Sequence, residues 1–319
     1  MGGSKAAPGT VPITDAFLLE LRECLTQRCI RQGLASLQRQ AALLNALDPR
    51  QENAARFAGH LAQWVDLGAF DPSSLHAVIQ CFDTQARAHL TLNDYLYLRM
   101  ADGMAAMSEE EMEAALRHFD FVLSLEKELG DDISYAIVLF WKARCLRRRG
   151  EYEQALIFAH RGKETALRLG FPRMAALSQV LESWLLFQKG KLKEAEQVSH
   201  AAESVLRETD DHVTLGNIYS FYGRMARRAG RYDKAIEHFN QAIHQYRQRD
   251  ARHPNLARSL ANIALAKRAI ALQLRRKIDA EAERRRKGGA PPKPASSRAS
   301  DYRQRLQQLH REVLHHLER

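Results

Sequence analysis

A turn that returns every forty residues constrains this chain more than anything else in its sequence. Tyr222 and Gly223 precede Gly230, and Tyr232, Ala235, Phe239 and Ala242 follow it. Glycine takes the left-handed conformation a helix C-terminus needs at little cost, so Gly230 ends one helix before Tyr232 opens the next. Small residues at Gly223 and Ala235 let two antiparallel helices approach closely, and Tyr222, Tyr232 and Phe239 fill the space beside them. Forty residues earlier the pattern recurs as Gly190, Leu192 and Ala195, and forty earlier again as Gly150, Tyr152 and Ala155. One step further back Glu110, Met112 and Ala115 hold the same places without the glycine. Four units in phase predict a stack of helical hairpins, each burying its apolar face on its neighbours.

These residues make the unit resemble a tetratricopeptide repeat, over about residues 95–250 and more loosely beyond. Spacing departs from the family's usual 34 residues. It is nearer the longer helical repeats of MalT-like bacterial regulators, and the usual proline near the repeat end is missing. The resemblance implies an all-α, right-handed superhelical solenoid of about six antiparallel helix hairpins. It also implies a scaffold that binds proteins or peptides and is not an enzyme. The MalT-like spacing adds a sensory or regulatory part of an intracellular signalling or transcription-regulation system.

The chain has 319 residues, 45% of them hydrophobic, which is ample for a continuous core between stacked helices. Its formal net charge of +10 allows anionic partners. Cys24, Cys29, Cys81 and Cys145 have no metal-ligand spacing and read as buried free thiols of a reducing compartment. The N-terminus lacks the apolar core of a secretory signal, and Ala6 stands where a myristoylation pattern needs Ser or Thr. No apolar run approaches the roughly 18–20 residues that span a bilayer. A soluble, cytoplasmic protein with no membrane partner is the expectation, or a nuclear one in a eukaryote. No Gly-rich phosphate loop, nucleophile elbow or His-Glu-x-x-His stands in the sequence, so no catalytic residue, metal or cofactor is expected. His310, His315 and His316 are poorly spaced for a metal and read as surface residues, and His160 and His200 read as a repeat echo.

Residues 1–13 read as a disordered lead-in and residues 14–90 as irregular N-terminal helical hairpins. Thr14 caps a helix carrying Phe17, Leu18, Leu21 and Leu25. A turn at Gly33 follows, then a helix through Leu34, Leu37, Ala41 and Leu44 that Asp48-Pro49 stops. The next pair spans about 51–67 and 72–89 around Gly68. Residues 91–287 read as the regular array, with helices near 93–107, 109–129, 132–149, 151–169, 172–189, 191–208, 211–229 and 231–249. Pro254 opens another helix, and the sequence stays helical and charged through Lys287 with no turn glycine around 271. Residues 288–300 read as a flexible linker or insertion, and residues 301–319 as a C-terminal amphipathic helix. That helix fits the displaced second helix of the last unit, or the start of something further.

In tetratricopeptide-like stacks the first helix of each unit lines the concave face. The resemblance therefore assigns a peptide-binding groove to the positions one and four residues after the small residues Ala143, Ser183 and Gly223. These are Arg144, Trp184 and Arg224, then Arg147, Phe187 and Arg227, with Phe140 alongside and Arg258 and Arg268 extending a basic stripe. Guanidinium groups flanking an aromatic platform suit a protein or acidic-peptide partner. The plainer reading is that arginines close helix ends and the aromatics are core. The Lys and Asn of a co-chaperone carboxylate clamp are absent.

Residues 275–298 hold a second basic feature: Arg275, Arg276, Lys277, Arg284, Arg285, Arg286, Lys287, Lys293 and Arg298 against Asp279, Glu281 and Glu283. As an anion-binding arm it would contact nucleic-acid phosphates, which is the alternative function. As a solvated helix end it would contact nothing. No aromatics are interleaved, which argues against stacking on single strands.

Overall fold

The structure is a computed structural model, and it describes residues 12–41, 44, 47–68, 71–287 and 297–317. All regular elements among them are helices. The chain divides into two compact units, residues 1–211 and 212–319. Unit 1 carries α1 (Asp15–Gln27), α2 (Ile30–Arg39), α3 (Ala54–Asp66), α4 (Pro72–Gln80), α5 (Thr84–Ala88) and α6 (Leu92–Ser108). It continues with α7 (Met112–Ser124), α8 (Glu126–Leu129), α9 (Asp132–Arg149), α10 (Tyr152–Arg168), α11 (Pro172–Gln188) and α12 (Leu192–Leu206). Unit 2 carries α13 (His212–Arg228), α14 (Tyr232–Arg249), α15 (Asn255–Lys287) and α16 (Ser297–Leu317). Consecutive helices pair as hairpins: α6 with α7, α9 with α10 and α11 with α12 in unit 1, then α13 with α14 and α15 with α16 in unit 2.

The repeated turn has one geometry. Gly150 N–H donates to Arg147 O at 3.1 Å and Glu151 N–H to Leu146 O at 2.9 Å, and the pattern returns at Gly190 and Gly230. These are the paired bonds of a Schellman C-cap, and each glycine has a positive φ. Glu110 adopts the same conformation at φ 65°. Its neighbour Glu111 still donates to Ala106 O at 2.9 Å, so the phase of the array carries the turn even where glycine is missing.

Ala115, Ala155, Ala195 and Ala235 are fully buried one turn into each second helix. A further small residue marks each first helix. A Cβ on Gly103 would come within 2.5 Å of Phe119, and one on Gly223 within 2.6 Å of Phe239. The intervening units put Ala143 with Ala159, and Ser183 with Ser199, at the same places, all sealed. At Gly103 and Gly223 bulk on the second helix is thus matched by its absence on the first, while the other two crossings are small on both sides.

Several elements differ from the sequence reading. Gly33 is no turn residue: it lies inside α2, and a Cβ there would stand 2.0 Å from the Trp64 ring. The turn falls instead at Arg28, whose φ is 56°. The single helix expected over 72–89 breaks between α4 and α5, because the Asp83 carboxylate caps α5 by accepting from Ala86 N–H at 2.7 Å. The 109–129 helix is interrupted at Leu125. Most of the lead-in, residues 1–11, lies outside the described residues, but Ile13 is buried and its N–H donates to Gln51 Oε1 at 3.3 Å. Residues 288–296 of the linker lie outside them too, while residues 297–300 already belong to α16. Of the four thiols Cys24 and Cys145 are buried, and burial pushes each up to about 11; Cys29 and Cys81 are half-buried.

α15 and α16 form the last hairpin of unit 2. Lys267 pairs with Glu312 at 2.5 Å, Leu309 packs with Ile270 and Leu274, and Lys277 lies 5.9 Å from the Tyr302 ring. Residue numbers fall on one helix as they rise on the other, so the two run antiparallel.

Candidate functional site

Phe140, Arg144 and Arg147 lie on α9, and Trp184 and Phe187 on α11; all five are half-buried in unit 1. The cause is angular. Ala143 and Ser183 face the partner helix and are sealed, and the next residue is turned by about 100° to the edge of that face. Trp184 therefore sits with one side on the core and one side open. Tyr152 meets it edge-on at 5.7 Å, and the Arg147 guanidinium lies 5.0 Å from its ring. A cation over an indole face is attracted by the ring quadrupole, so Arg147 and Trp184 hold each other in place.

Arg144 is engaged differently. Its guanidinium lies 5.6 Å from the Phe140 ring and pairs with the Asp66 carboxylate at the end of α3. Trp141 Nε1–H donates to the other Asp66 oxygen at 3.0 Å. Asp66 thus fixes the outer edge of α9 and neutralises the arginine there. Beside it a cavity of about 30 Å³ runs between α9 and α11, lined by Ile137, Phe140, Met174 and Leu177, with Leu25 of α1 and the turn residue Arg28 closing one side. That volume holds a group the size of a water molecule.

The hold on α1 is what sequence reasoning missed. Arg22 pairs with Asp131, which precedes α9. Arg173, in the first turn of α11, donates to Gln27 O at 2.8 Å. Arg28 donates to Asp211 through Nε at 2.9 Å and through a terminal nitrogen at 2.5 Å, and both side chains are sealed from solvent. The Asp210 carboxylate accepts from the N–H groups of Ile30 at 2.5 Å and Arg31 at 2.8 Å, which caps α2. Asp131 precedes α9 and Arg173 lies in the first turn of α11, so α1 lies along the N-terminal ends of these two first helices. The one available signal was that aspartates two periods apart, Asp131 and Asp211, sit just ahead of predicted first helices, with Arg22 in α1 and Arg28 directly after it to meet them.

Asp131 anchors a buried polar network. It accepts from the hydroxyls of Tyr97 and Ser134 at 2.7 Å each, and Gln63 donates to Ser134 Oγ at 3.2 Å. Burial alone would raise its pKa, but Arg22 and these donors prevail and hold the carboxyl below its usual range. His60 stacks on Tyr97 at 5.9 Å, and burial, aided by Arg22, pushes its imidazole down to about 4.

The remaining residues of the expected groove belong to unit 2. Arg224 and Arg227 are half-buried on α13, and Arg258 and Arg268 are exposed on α15. On the basic arm Arg275, Arg276, Lys277, Arg284, Arg286 and Lys287 are exposed along α15; the Arg285 side chain lies outside the described residues, as do those of His310, His315 and His316. Lys287 pairs with Glu283 at 2.8 Å. His160 contacts the buried Glu182 at 3.1 Å. Among the described residues no helix is long and apolar enough to cross a membrane.

The model of the tetratricopeptide repeat family matches residues 184–248 and 217–273. No curated protein matches the chain. The apo form of the quorum sensor NprR from B. thuringiensis shares the fold with a TM-score of 0.57 at 17% identity, over 83% of this chain and 75% of that one. NprR in complex with its cognate peptide NprX does so with a TM-score of 0.58 at 17% identity, over 92% and 81%. A Rap protein complexed with Competence and Sporulation Factor gives a TM-score of 0.61 at 14% identity, over 92% and 79%. At such identities the likeness is one of fold. With its recurring hairpin turns, its matched repeats and these structural neighbours, the chain is a tetratricopeptide-like helical repeat protein.

Proposed function

We propose that the chain is a protein- or peptide-binding scaffold, the sensory or regulatory part of a cytoplasmic signalling or transcription-regulation system, and not an enzyme. Its ligand lies along α9 and α11 of unit 1, over Phe140, Arg144, Arg147, Trp184 and Phe187. In this reading residues 91–287 form the binding array and residues 14–90 its irregular N-terminal cover. One observation carries it: Trp184 is half-open, and Tyr152 and Arg147 hold its ring rigid. A rigid, partly exposed tryptophan with an arginine beside it is the composition of an interface anchor. Two structural neighbours support it in kind, being solved in complexes with NprX and with Competence and Sporulation Factor. The partner expected is an extended segment with acidic residues around a hydrophobic one.

Selection of displayed random peptides on the full chain tests this. Enriched peptides should lose at least about tenfold in affinity for Trp184→Ala, the loss an anchor of about 1.4 kcal/mol or more gives. Peptides that bind Trp184→Ala and Phe140→Ala as well as the parent would overturn the placement.

A second reading rests on the exposed cations of α15, from Arg275 to Lys287, which would contact nucleic-acid phosphates. Binding of that kind falls steeply with salt and disappears when residues 275–298 are deleted, whereas peptide binding on α9 and α11 survives both.

A further inference from the structure

One side of α15 is open to solvent where other first helices are covered. On α9, in the middle of the stack, Ile137, Val138, Leu139, Trp141, Ala143 and Cys145 are buried almost in succession, so that helix is sealed nearly all round. α15 packs on α14 and on α16. Ile263 enters the core that α13 and α14 share, and Ile270 and Leu274 face Leu309 of α16. On the remaining side Leu265 and Leu272 are 48% and 49% exposed. Ala261 is exposed with them and Ala269 is half-buried. At 100° per residue these four fall within an arc of about 80° and form one stripe. Exposed Arg258 precedes it, and exposed Arg276 and Asp279 continue it. The outer face of a helical stack is ordinarily polar, which keeps the protein dispersed. Leucines two turns apart between alanines are the pattern of a helix–helix seam.

The charges around the stripe select what pairs with it. Turned end for end about the point between Arg268 and Ala269, the stripe complements itself. Leu265 then stands against Leu272 of a second copy and Arg258 against Asp279 of that copy, and two-fold symmetry makes each contact twice. Arg276 falls opposite Ala261, where its aliphatic stem covers the small side chain. A parallel pairing would instead set Arg258, Arg268 and Arg276 each against itself. The alanines admit a second helix at about 8 Å. The two Arg268 side chains lie on one side of the axis, at the rim, and are the unfavourable contact of the arrangement. We propose that unit 2 associates with a second copy of this chain through an antiparallel pairing of α15 with α15, centred between Arg268 and Ala269. The pairing uses neither α9 nor α11, so it stands apart from the peptide-binding reading.

Sedimentation of the full chain over a dilution series tests it. The parent should move from the 36.3 kDa monomer toward twice that mass as concentration rises. Leu265→Glu and Leu272→Glu should each weaken the dimer at least about tenfold, since each leucine is used twice. Arg258→Asp and Asp279→Arg should each weaken it about tenfold, and the two together, which exchange the charges, should return it to within about threefold of the parent. Arg268→Gln should tighten it by relieving the repulsion at the rim. These positions are exposed, so the thermal midpoint of each dilute variant should stay within about 2 °C of the parent's. A parent that remains monomeric at every concentration would overturn the pairing and leave the stripe to a different protein. A dimer indifferent to Leu265→Glu would sink it as well, by placing the contact elsewhere. Failure of the charge exchange to restore a dimer that the leucine changes abolish would rule out the antiparallel arrangement, and growth past two copies would rule out its two-fold closure.

Discussion

The hairpins from α9 to α14 and the hairpin of α1 and α2 are built on opposite principles. In the former, each turn closes through backbone bonds three and five residues long, and each crossing pairs a small residue with whatever its partner helix presents. In the latter, Arg22 of α1 reaches 109 residues to Asp131 and Arg28 of the turn reaches 183 residues to Asp211. Local rules let a hairpin be copied; long-range ion pairs let a non-repeating one be fitted to the copies.

The largest test of that contrast is Asp211→Ala. It leaves the sealed Arg28 without its carboxylate, and removing one partner of a buried pair costs about 3–5 kcal/mol. Hydrogen exchange should accelerate in α1 and α2 while α9 and α10 keep their protection. The double change Arg28→Met with Asp211→Leu should recover most of the loss, because it removes both charges. Unchanged exchange in α1 after Asp211→Ala would show that packing alone holds the hairpin.

Acid should loosen the same side of unit 1. His60 has a folded pKa of about 4 against an ordinary 6.5, with burial the main cause and repulsion by Arg22 second. The unfolded chain takes up this proton below pH 6.5 and the folded chain not until about 4. Stability contributed by the neutral ring is therefore complete above pH 6.5 and is lost as pH falls toward 4, by about 3 kcal/mol. Asp131, with its pKa held down, extends the loss to still lower pH. In denaturant titrations His60→Gln should flatten the slope between pH 6.5 and 4; an equally steep slope in that variant would place the titration elsewhere.

The smallest expected effect lies in the repeats. Glu110 holds a left-handed conformation that suits glycine, so Glu110→Gly should raise stability by about 1 kcal/mol. Gly190→Ala should lower it by a similar amount. If both changes prove neutral, the turns are set by helix packing and not by their own backbone preference.

What the sequence made legible divides along the same line. The turns at Gly150, Gly190 and Gly230 could be read because glycine, phase and hairpin all point one way. Glu110 could be read from phase alone. Gly33 could not, because a buried glycine serves equally as a turn or as room for a distant side chain, and Trp64 lies 31 residues on. The break before Asp83 was hidden by the apolar run around it. Of the candidate site, the positions Phe140, Arg144 and Trp184 came from counting along the repeat. That Asp66 neutralises Arg144 left no local trace, since the two partners are 78 residues apart.

α15 has 33 residues, about twice the 17 of α13. At 1.5 Å per residue, the 16 additional residues carry it about 24 Å further than a first helix of the repeats. α16 runs alongside and stiffens it, and the cations from Arg284 onward sit on the far part. The pair therefore works as a ruler: the cations from Arg284 onward are kept a fixed distance along the helix from Arg258 at its base, and lengthening α15 by whole turns would change that distance in steps of about 5.4 Å.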